Sequence, residues 1–432
     1  MDGVDRSELA AALGGEPADI EPLSGGAGRC QMWSLRAEDR RLIFRRYPEG
    51  FDRDVVRNRE WRVLALACDA GVPVPAPVAL TPSGILVERV EGESRPQRLL
   101  SDERWAHARS SLVARVAEAA ARLHALEPPD FLPGGLELDG ATAEPSETGA
   151  AETAVRTLER SLDRTGEPHP AIELGLRWLR ANLPGPAPVS IVHGDFRLSN
   201  LVVSDEGRAV LIDWELVHTG DGAEDLGWMC VRSWRFGGRH PALGCGSREE
   251  LLSAYASAGG RPVTLDELRW WEVCGNARWA VICVLQAHRH ISGLDRSLER
   301  AMIGRRACEA EWDLLELLAD GRPAPPPAAA PQDRPDAREL LETVAEYLRD
   351  DLRPRAPSED AFKLLVAANA CRVVSRELEA NFSPRQPLAH ELAAELSAAL
   401  RAGLHDGELR ELVDPLRAQT RAKLKVANPP WE

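Results

Sequence analysis

The stretch that most constrains this chain is VSIVHGDFRLSNLVVSDEGRAVLIDWELV, residues 189–217. Three short apolar runs alternate with polar loops, a pattern that predicts strands joined by tight connections. The polar residues stand at fixed offsets: His193, Asp195 and Asn200 follow the order H-x-D-x-x-x-x-N, and Asp213 closes the run VLID further on. A lone Asp in a loop is usually a turn or cap residue, and Asn200 alone would carry no weight. Together they match two of the four requirements of phosphoryl transfer, a carboxylate beside the attacking hydroxyl and ligands for magnesium. The other two are a cation on the phosphates and a backbone cradle over them. Asp195 is therefore expected to accept or orient the acceptor's proton. Asn200 and Asp213 are expected to hold Mg²⁺, a hard cation that prefers oxygen ligands. Loop, two short strands, metal aspartate is the order of the kinase template.

Residues 1–92 are strand-rich. IEPLSGGAGRCQMWSLRA predicts a hairpin whose turn carries Gly25, Gly26 and Gly28, and the backbone N–H groups of such a turn can cover phosphates. RRLIFRRY predicts the strand that should bring the phosphate-binding lysine. No lysine exists before Lys363, and Arg45 takes the place by spacing. Arginine stays charged and binds phosphate bidentately. Arg46 alternates to the other face. The apolar spacing of DVVRNREWRVLALACDAG predicts a helix closed by Gly71, with Glu60 as the partner that orients Arg45. Backbone groups from Glu88 to Val90, at the end of strand GILVERV, are expected to meet an adenine.

From 93 onward helical patterns dominate, including a long helix after Ser101, a helical region over 151–183, and helices over 249–258, 265–290 and 295–319. These patterns predict an α+β, bilobal protein-kinase-like fold. Residues 1–92 form an N-lobe of antiparallel sheet plus helix, and 93–321 a mostly helical C-lobe carrying the catalytic and metal loops. RPAPPPAAAPQDRP (322–335) reads as a semi-rigid linker. Residues 336–432 read as a small all-α accessory domain.

HGDFRLSNLVV and VLIDWELVHTGDGAEDLGW closely resemble the aminoglycoside phosphotransferase-like superfamily, whose members share the protein-kinase fold. The resemblance covers residues 20–320. HGDFRLSN, with its Arg197, WWEVCGNARWAVICVLQAHRHISG and GRRACEAEWDLL are most similar to the branch that includes the kinase-like domain fused to acyl-CoA dehydrogenases. That branch often carries arginine at the position of Arg45. The resemblance implies ATP and Mg²⁺ as cofactors, Asp195 as catalytic base, and Asn200 and Asp213 as metal ligands. It also implies Asp225, in EDLGW, as a structural aspartate that braces the loop. The expected acceptor is a small molecule with a hydroxyl group, a hydroxyacyl-CoA or hydroxy acid. An aminoglycoside antibiotic is the alternative acceptor. A nucleotide-binding pseudokinase scaffold is the alternative function, motivated by the missing lysine. The segments RPDARELLETVAEYLRDDLRP and AFKLLVAANACRVVSRELE resemble an uncharacterised helical domain found beside these phosphotransferases, expected to dock on the kinase unit or to form a homodimer.

Composition excludes some classes. A net charge of −15 speaks against nucleic acid as a partner, since phosphate backbones need a basic footprint. No apolar run is long enough to predict a membrane span, and the acidic start lacks a signal-like core, so a cytoplasmic location is expected. The eight cysteines form no C-x-x-C pair and read as buried thiols. His288 and His290 lie on different helix faces and read as structural. Trp270, Trp271 and Trp279 read as helix packing rather than as an acceptor pocket.

Overall fold

The computed structural model of the protein describes residues 4–23, 30–47, 53–140, 146, 149–295, 298–325, 341, 344–379 and 387–431. The glycine turn with Gly25, Gly26 and Gly28, and most of the Pro/Ala segment, lie outside the described residues. By internal contacts the chain divides into two compact units. One joins Met1–Leu136 to Ala187–Trp271, and the other joins Glu137–Pro186 to Glu272–Glu432. This division does not follow the composition-based boundaries at 92 and 322–335.

The first unit opens with helix α1 (Arg6–Leu13), whose N-terminal amides are capped by the Asp5 carboxylate. Strands β1 (Ala18–Pro22), β2 (Gln31–Ala37) and β3 (Arg40–Arg46) follow, then helix α2 (Arg53–Asp69) and strands β4 (Pro77–Leu80) and β5 (Gly84–Glu88). They form an antiparallel sheet of order β1-β2-β3-β5-β4. Alternation along β3 does the sorting. Leu42 and Phe44 bury themselves with Leu9, Leu35 and Leu86 on one face, while Ile43 packs with the larger core that contains Val63 and Leu64 of α2. Gly71, at φ +75°, ends the α2 region in the left-handed conformation that glycine tolerates.

The helix expected after Ser101 is present, but its cap is not Ser101. Ser101 is the last residue of α3 (Pro96–Ser101), and the Asp102 side chain accepts from Arg104 N (3.0 Å) to start the 3₁₀ turn (Glu103–Trp105) that leads into α4 (Ala106–His124). The helical region over 151–183 is two helices, α5 (Ala150–Asp163) and α6 (Pro170–Ala181), parted by Gly166 at φ +66° and the proline that begins α6. The chain then returns to the first unit with β6 (Val189–Val192), β7 (Leu201–Val203), β8 (Ala209–Leu211) and β9 (His218–Asp221). Helices α7 (Ala223–Cys230), α8 (Arg248–Ser257) and the first part of α9 (Leu265–Ile291) complete it. β6 pairs with β9 and β7 with β8, both antiparallel.

The second unit holds α5, α6, the rest of α9, α10 (Leu298–Gly304), α11 (Ala307–Ala319), α12 (Ser358–Glu379), α13 (Pro387–Arg401) and α14 (Leu409–Ala427). Gly175 of α6 lies against Leu314 of α11, where a Cβ would come within 2.6 Å of the leucine side chain. Leu424 and Ala427 of α14 share a small core with Cys308 and Trp312 of α11. The C-terminal helices thus pack on α6 and α11 of their own chain. Arg401 pairs with Glu173, Arg177 with Asp406, and Trp431 Nε1 donates to Asp313 (3.1 Å).

All eight cysteines are free. Burial pushes the Cys30 and Cys308 thiols up to about 12 and Cys245 to about 11, so they are packing groups. Trp270, Trp271 and Trp279 are buried, and Trp271 backs directly onto Gly227 of α7. Among the described residues no helix is long and apolar enough to cross a membrane.

Candidate active site

The loop between β6 and β7 is held from beneath. Its Gly194 sits at φ +80°, and a Cβ there would collide with the carbonyl of Leu216, so the turn requires glycine. Asp225, fully buried on α7, accepts from the backbone N–H of His193 (2.8 Å) and Gly194 (3.0 Å). His124 Nε2 lies 3.1 Å from the same carboxylate, and its Nδ1 lies 2.9 Å from the Tyr255 hydroxyl. Burial works against ionised Asp225, but the His124 hydrogen bond and the neighbouring imidazoles and amides outweigh it and hold its pKa below the usual range. Asp225 therefore acts as a fixed negative anchor under the loop. Burial also lowers the pKa of His193, whose ring packs edge-on to Trp214 at 4.7 Å.

Above the anchor, Asp195 and Asn200 come together. Asn200 rides on a one-turn 3₁₀ helix (Leu198–Asn200), and its Nδ2 donates to the Asp195 backbone oxygen (2.9 Å) and to Oδ2 (2.6 Å). Asp195 Oδ1 accepts from Trp228 Nε1 (2.9 Å) and Arg197 Nε (2.8 Å). The carboxylate is thus fixed from three sides. With its amide nitrogen committed to Asp195, Asn200 keeps its amide oxygen as a lone-pair donor.

Asp213 follows β8 at φ +70°, an uncommon conformation for a non-glycine residue. Its carboxylate is about one-third exposed and accepts from Arg45 Nη2 at 3.1 Å. Arg45 leaves β3 on the face opposite Phe44, and its other terminal nitrogen pairs with Glu60 of α2, which also receives the Tyr47 hydroxyl. Burial works against the Arg45 charge, but Glu60, Tyr47 and Asp213 outweigh it and raise its pKa further. The arginine is a permanent cation aimed from the sheet at Asp213. Arg46 turns away and donates to Gln31 (3.2 Å).

In the segment after β5, where backbone groups from Glu88 to Val90 are expected to meet an adenine, two of the amide donors are already engaged. The Glu88 side chain is exposed and pairs with Arg40 (3.0 Å), and the amides of Glu88 and Arg89 donate to Ala76 and Arg41 (both 2.9 Å). Those two donors belong to the sheet. Val90 is half-buried. The next anchored point is Glu93, whose backbone pairs in both directions with Val203 of β7 at 2.9 Å. Its carboxylate collects the Arg95 and Arg98 guanidiniums and the amides of Ser94 and Arg95, which outweigh burial and hold its pKa at about 2.

Two oxygen donors, Asn200 and Asp213, suit a magnesium ion that shares its shell with substrate phosphates and water. Among the described residues no three His, Cys, Asp or Glu side chains form a cage for a metal. Sequence reasoning did not anticipate the Trp228 contact, the Arg197 contact, or the pairing of Arg45 with Asp213. Only Arg197, inside the fixed-offset motif, carried a local signal.

An antiparallel sheet with one helix, followed by a braced H-x-D-x-x-x-x-N loop and a partly exposed aspartate after two short strands, defines a small-molecule phosphotransferase of kinase-like fold. A solved structure of a Ralstonia eutropha protein named after aminoglycoside phosphotransferases shares the fold, with a TM-score of 0.58 over 72% of this chain and 98% of that one at 22% identity. Residues 19–271 match the phosphotransferase enzyme family, and the chain belongs to that family. Residues 354–431 match a domain of unknown function, DUF6285. The mouse acyl-CoA dehydrogenase family member 10 is 27% identical over 209 residues, 46% of this chain and 19% of that protein. An Arabidopsis thaliana protein named probable acyl-CoA dehydrogenase IBR3 is 25% identical over 344 residues, 72% of this chain and 41% of that protein. The chain spans less than half the length of these curated relatives.

Proposed function

We propose that the protein transfers the γ-phosphoryl group of ATP to a hydroxyl of a small hydroxyacyl molecule, a hydroxy acid or its CoA ester, with Mg²⁺. The observation that carries this reading is the juxtaposition of the fixed Asp195 carboxylate with Asn200 at 2.6 Å. Arg45, on Glu60 and Asp213, supplies the cation for the phosphates. Asp195 takes the proton as the acceptor oxygen bonds to phosphorus and the bond to ADP breaks. Asn200 and Asp213 would hold the magnesium through their oxygens, and the ion would neutralise charge on the phosphates. Arg45, released from Asp213 by the incoming phosphates and still backed by Glu60, replaces the missing lysine. Preorganised charges of this kind are the main catalytic resource when the protein does little covalent chemistry. The glycine turn at Gly25, Gly26 and Gly28 is assigned to the phosphate cradle, and the stretch through Glu88 and Val90 to the adenine side.

The test is a screen of purified protein with ATP and Mg²⁺ against hydroxy acids, hydroxyacyl-CoAs and aminoglycosides, with phosphorylated product read by mass. Product on a hydroxyacyl compound supports the reading, whereas product on aminoglycosides alone moves the acceptor to antibiotics. ATP binding without product on any acceptor, together with unchanged cellular function in Asp195→Ala, points to a scaffold.

A further inference from the structure

Arg197 stands two residues after Asp195, and holding that carboxylate uses only part of its guanidinium. Its Nε donates to Asp195 Oδ1 at 2.8 Å, and its guanidinium carbon lies over the Trp234 ring, 4.4 Å from the centroid. Trp234 is itself packed on Trp228 (5.2 Å), which holds the same Asp195 oxygen. The fork is therefore clamped at one edge and on one face. Its two terminal nitrogens have no hydrogen-bond or ion partner among the described residues, and the side chain is about one-quarter exposed. An arginine fixed in this way presents parallel N–H donors that match a pair of oxygens.

The surroundings add a second observation. The segment 226–248, which carries Trp228 and Trp234, contains Arg232, Arg235, Arg239 and Arg248 and no acidic residue, in a chain of net charge −15. The Arg235 fork is already used on the carbonyl of Cys230 (2.8 and 3.2 Å). A fixed guanidinium beside Asp195 disfavours a cationic group at that point and favours an acceptor that brings an oxygen close to its hydroxyl.

We infer that Arg197 is a specificity-determining residue that binds the acyl oxygen of the acceptor beside the hydroxyl presented to Asp195. The shared chemistry is an acyl oxygen, which can be the carboxylate of a hydroxy acid or the thioester carbonyl of its CoA ester. Polyols and aminocyclitols lack it. This inference rests on the reading of Asp195 as the acceptor's proton partner.

Binding tests it without requiring turnover. Calorimetry with a non-hydrolysable ATP analogue and Mg²⁺ present would compare 3-hydroxybutyrate, 3-hydroxybutyryl-CoA, 1,3-butanediol and kanamycin. The wild type is expected to bind one of the two acyl compounds, and which one identifies the source of the oxygen. Arg197→Ala should weaken that compound by about 10- to 100-fold, the scale of a lost charged hydrogen bond, and bring it level with the diol. Arg197→Lys, which keeps charge without the fork, should recover only part of the preference. Far-UV circular dichroism and nucleotide affinity equal to wild type establish that each variant is folded, and a Trp234→Leu variant repeats the loss of preference if Arg197→Ala does not fold. Wild-type binding of kanamycin or the diol in preference to both acyl compounds overturns the inference, as does an unchanged acyl-to-diol ratio in Arg197→Ala. Either result leaves phosphotransfer standing. Acyl binding that depends on Arg197, without product in any transfer assay, refutes the proposed reaction and keeps the acyl site.

Discussion

Two arginines in this chain, one half-buried and one buried, are each paired with two carboxylates and end in different places. Arg45 in the first unit pairs with Glu60 and then with Asp213, a carboxylate that is about one-third open to solvent. Arg417 in the second unit, only 1% exposed, pairs with Glu316 and Asp414 and spends its remaining donors on the carbonyls of Arg322 (3.0 Å) and Pro323 (3.4 Å). One arginine holds a partner that a ligand can take over. The other is satisfied entirely by its own chain. The same contrast runs through both regions. In the first unit Arg45 ends on a carboxylate that keeps an open side, and in the second the pairs of Arg401 with Glu173 and Arg177 with Asp406 tie helices together. Changes in the first should remove rate and leave the fold, and changes in the second should do the reverse.

The strongest test of the contrast is Asp195→Ala. It should lower kcat by about 10²–10⁴-fold, the contribution of a general base, while ATP·Mg²⁺ affinity and thermal stability stay close to wild type. Single-turnover kinetics beside calorimetry would check this, and retained turnover would remove Asp195 from the role of base. Its counterpart in the second unit is Arg417→Ala, which removes a buried guanidinium from Glu316, Asp414 and two backbone carbonyls and, since both carboxylates are more than one-third open to solvent, should cost about 1–3 kcal/mol of stability, read by denaturant unfolding. A variant of normal stability would show that the second unit does not depend on this seam. Arg45→Ala should reduce kcat/KM for ATP by about 10²–10³-fold, as for loss of one preorganised charge. Wild-type kinetics there would move the phosphate contact elsewhere.

The smallest expected effect concerns pH. Burial works against a charge on His169, but Glu167 and Glu311 outweigh it and raise the pKa from 6.5 to about 9. A raised folded pKa makes the contribution complete below about pH 6.5 and progressively lost as pH rises through about 9. Thermal melts of wild type should fall over that window, and His169→Phe should flatten the fall. An identical pH profile in both proteins would show that His169 does not gain charge on folding.

Legibility in the sequence followed distance along the chain. Asp195, Asn200 and Asp213 could be read because turns and short strands fix their offsets, and Arg45 with Glu60 because strand and helix periods say which face each occupies. The family resemblance pointed to Asp225. Contacts such as Trp228 on Asp195 and Arg45 on Asp213 join residues far apart, and no local pattern encodes them. The makeup of the second unit was hidden for the same reason, since Arg401 of α13 reaches back to Glu173 of α6. The cap of the helix after Ser101 was misplaced by one residue, because Asp102 takes the backbone donor in a way that apolar periodicity does not register.

Asp213 carries one more consequence in its backbone. A left-handed conformation is tolerated by glycine and, among other residues, best by asparagine and aspartate. The cheap replacements at this position are therefore Asn and Gly, both of which remove a negative oxygen while relaxing or preserving the turn. Inactivation by drift has an easy route here that a stability screen would pass unnoticed. Descendants that had abandoned chemistry would bear Asn or Gly at this position, well folded and silent.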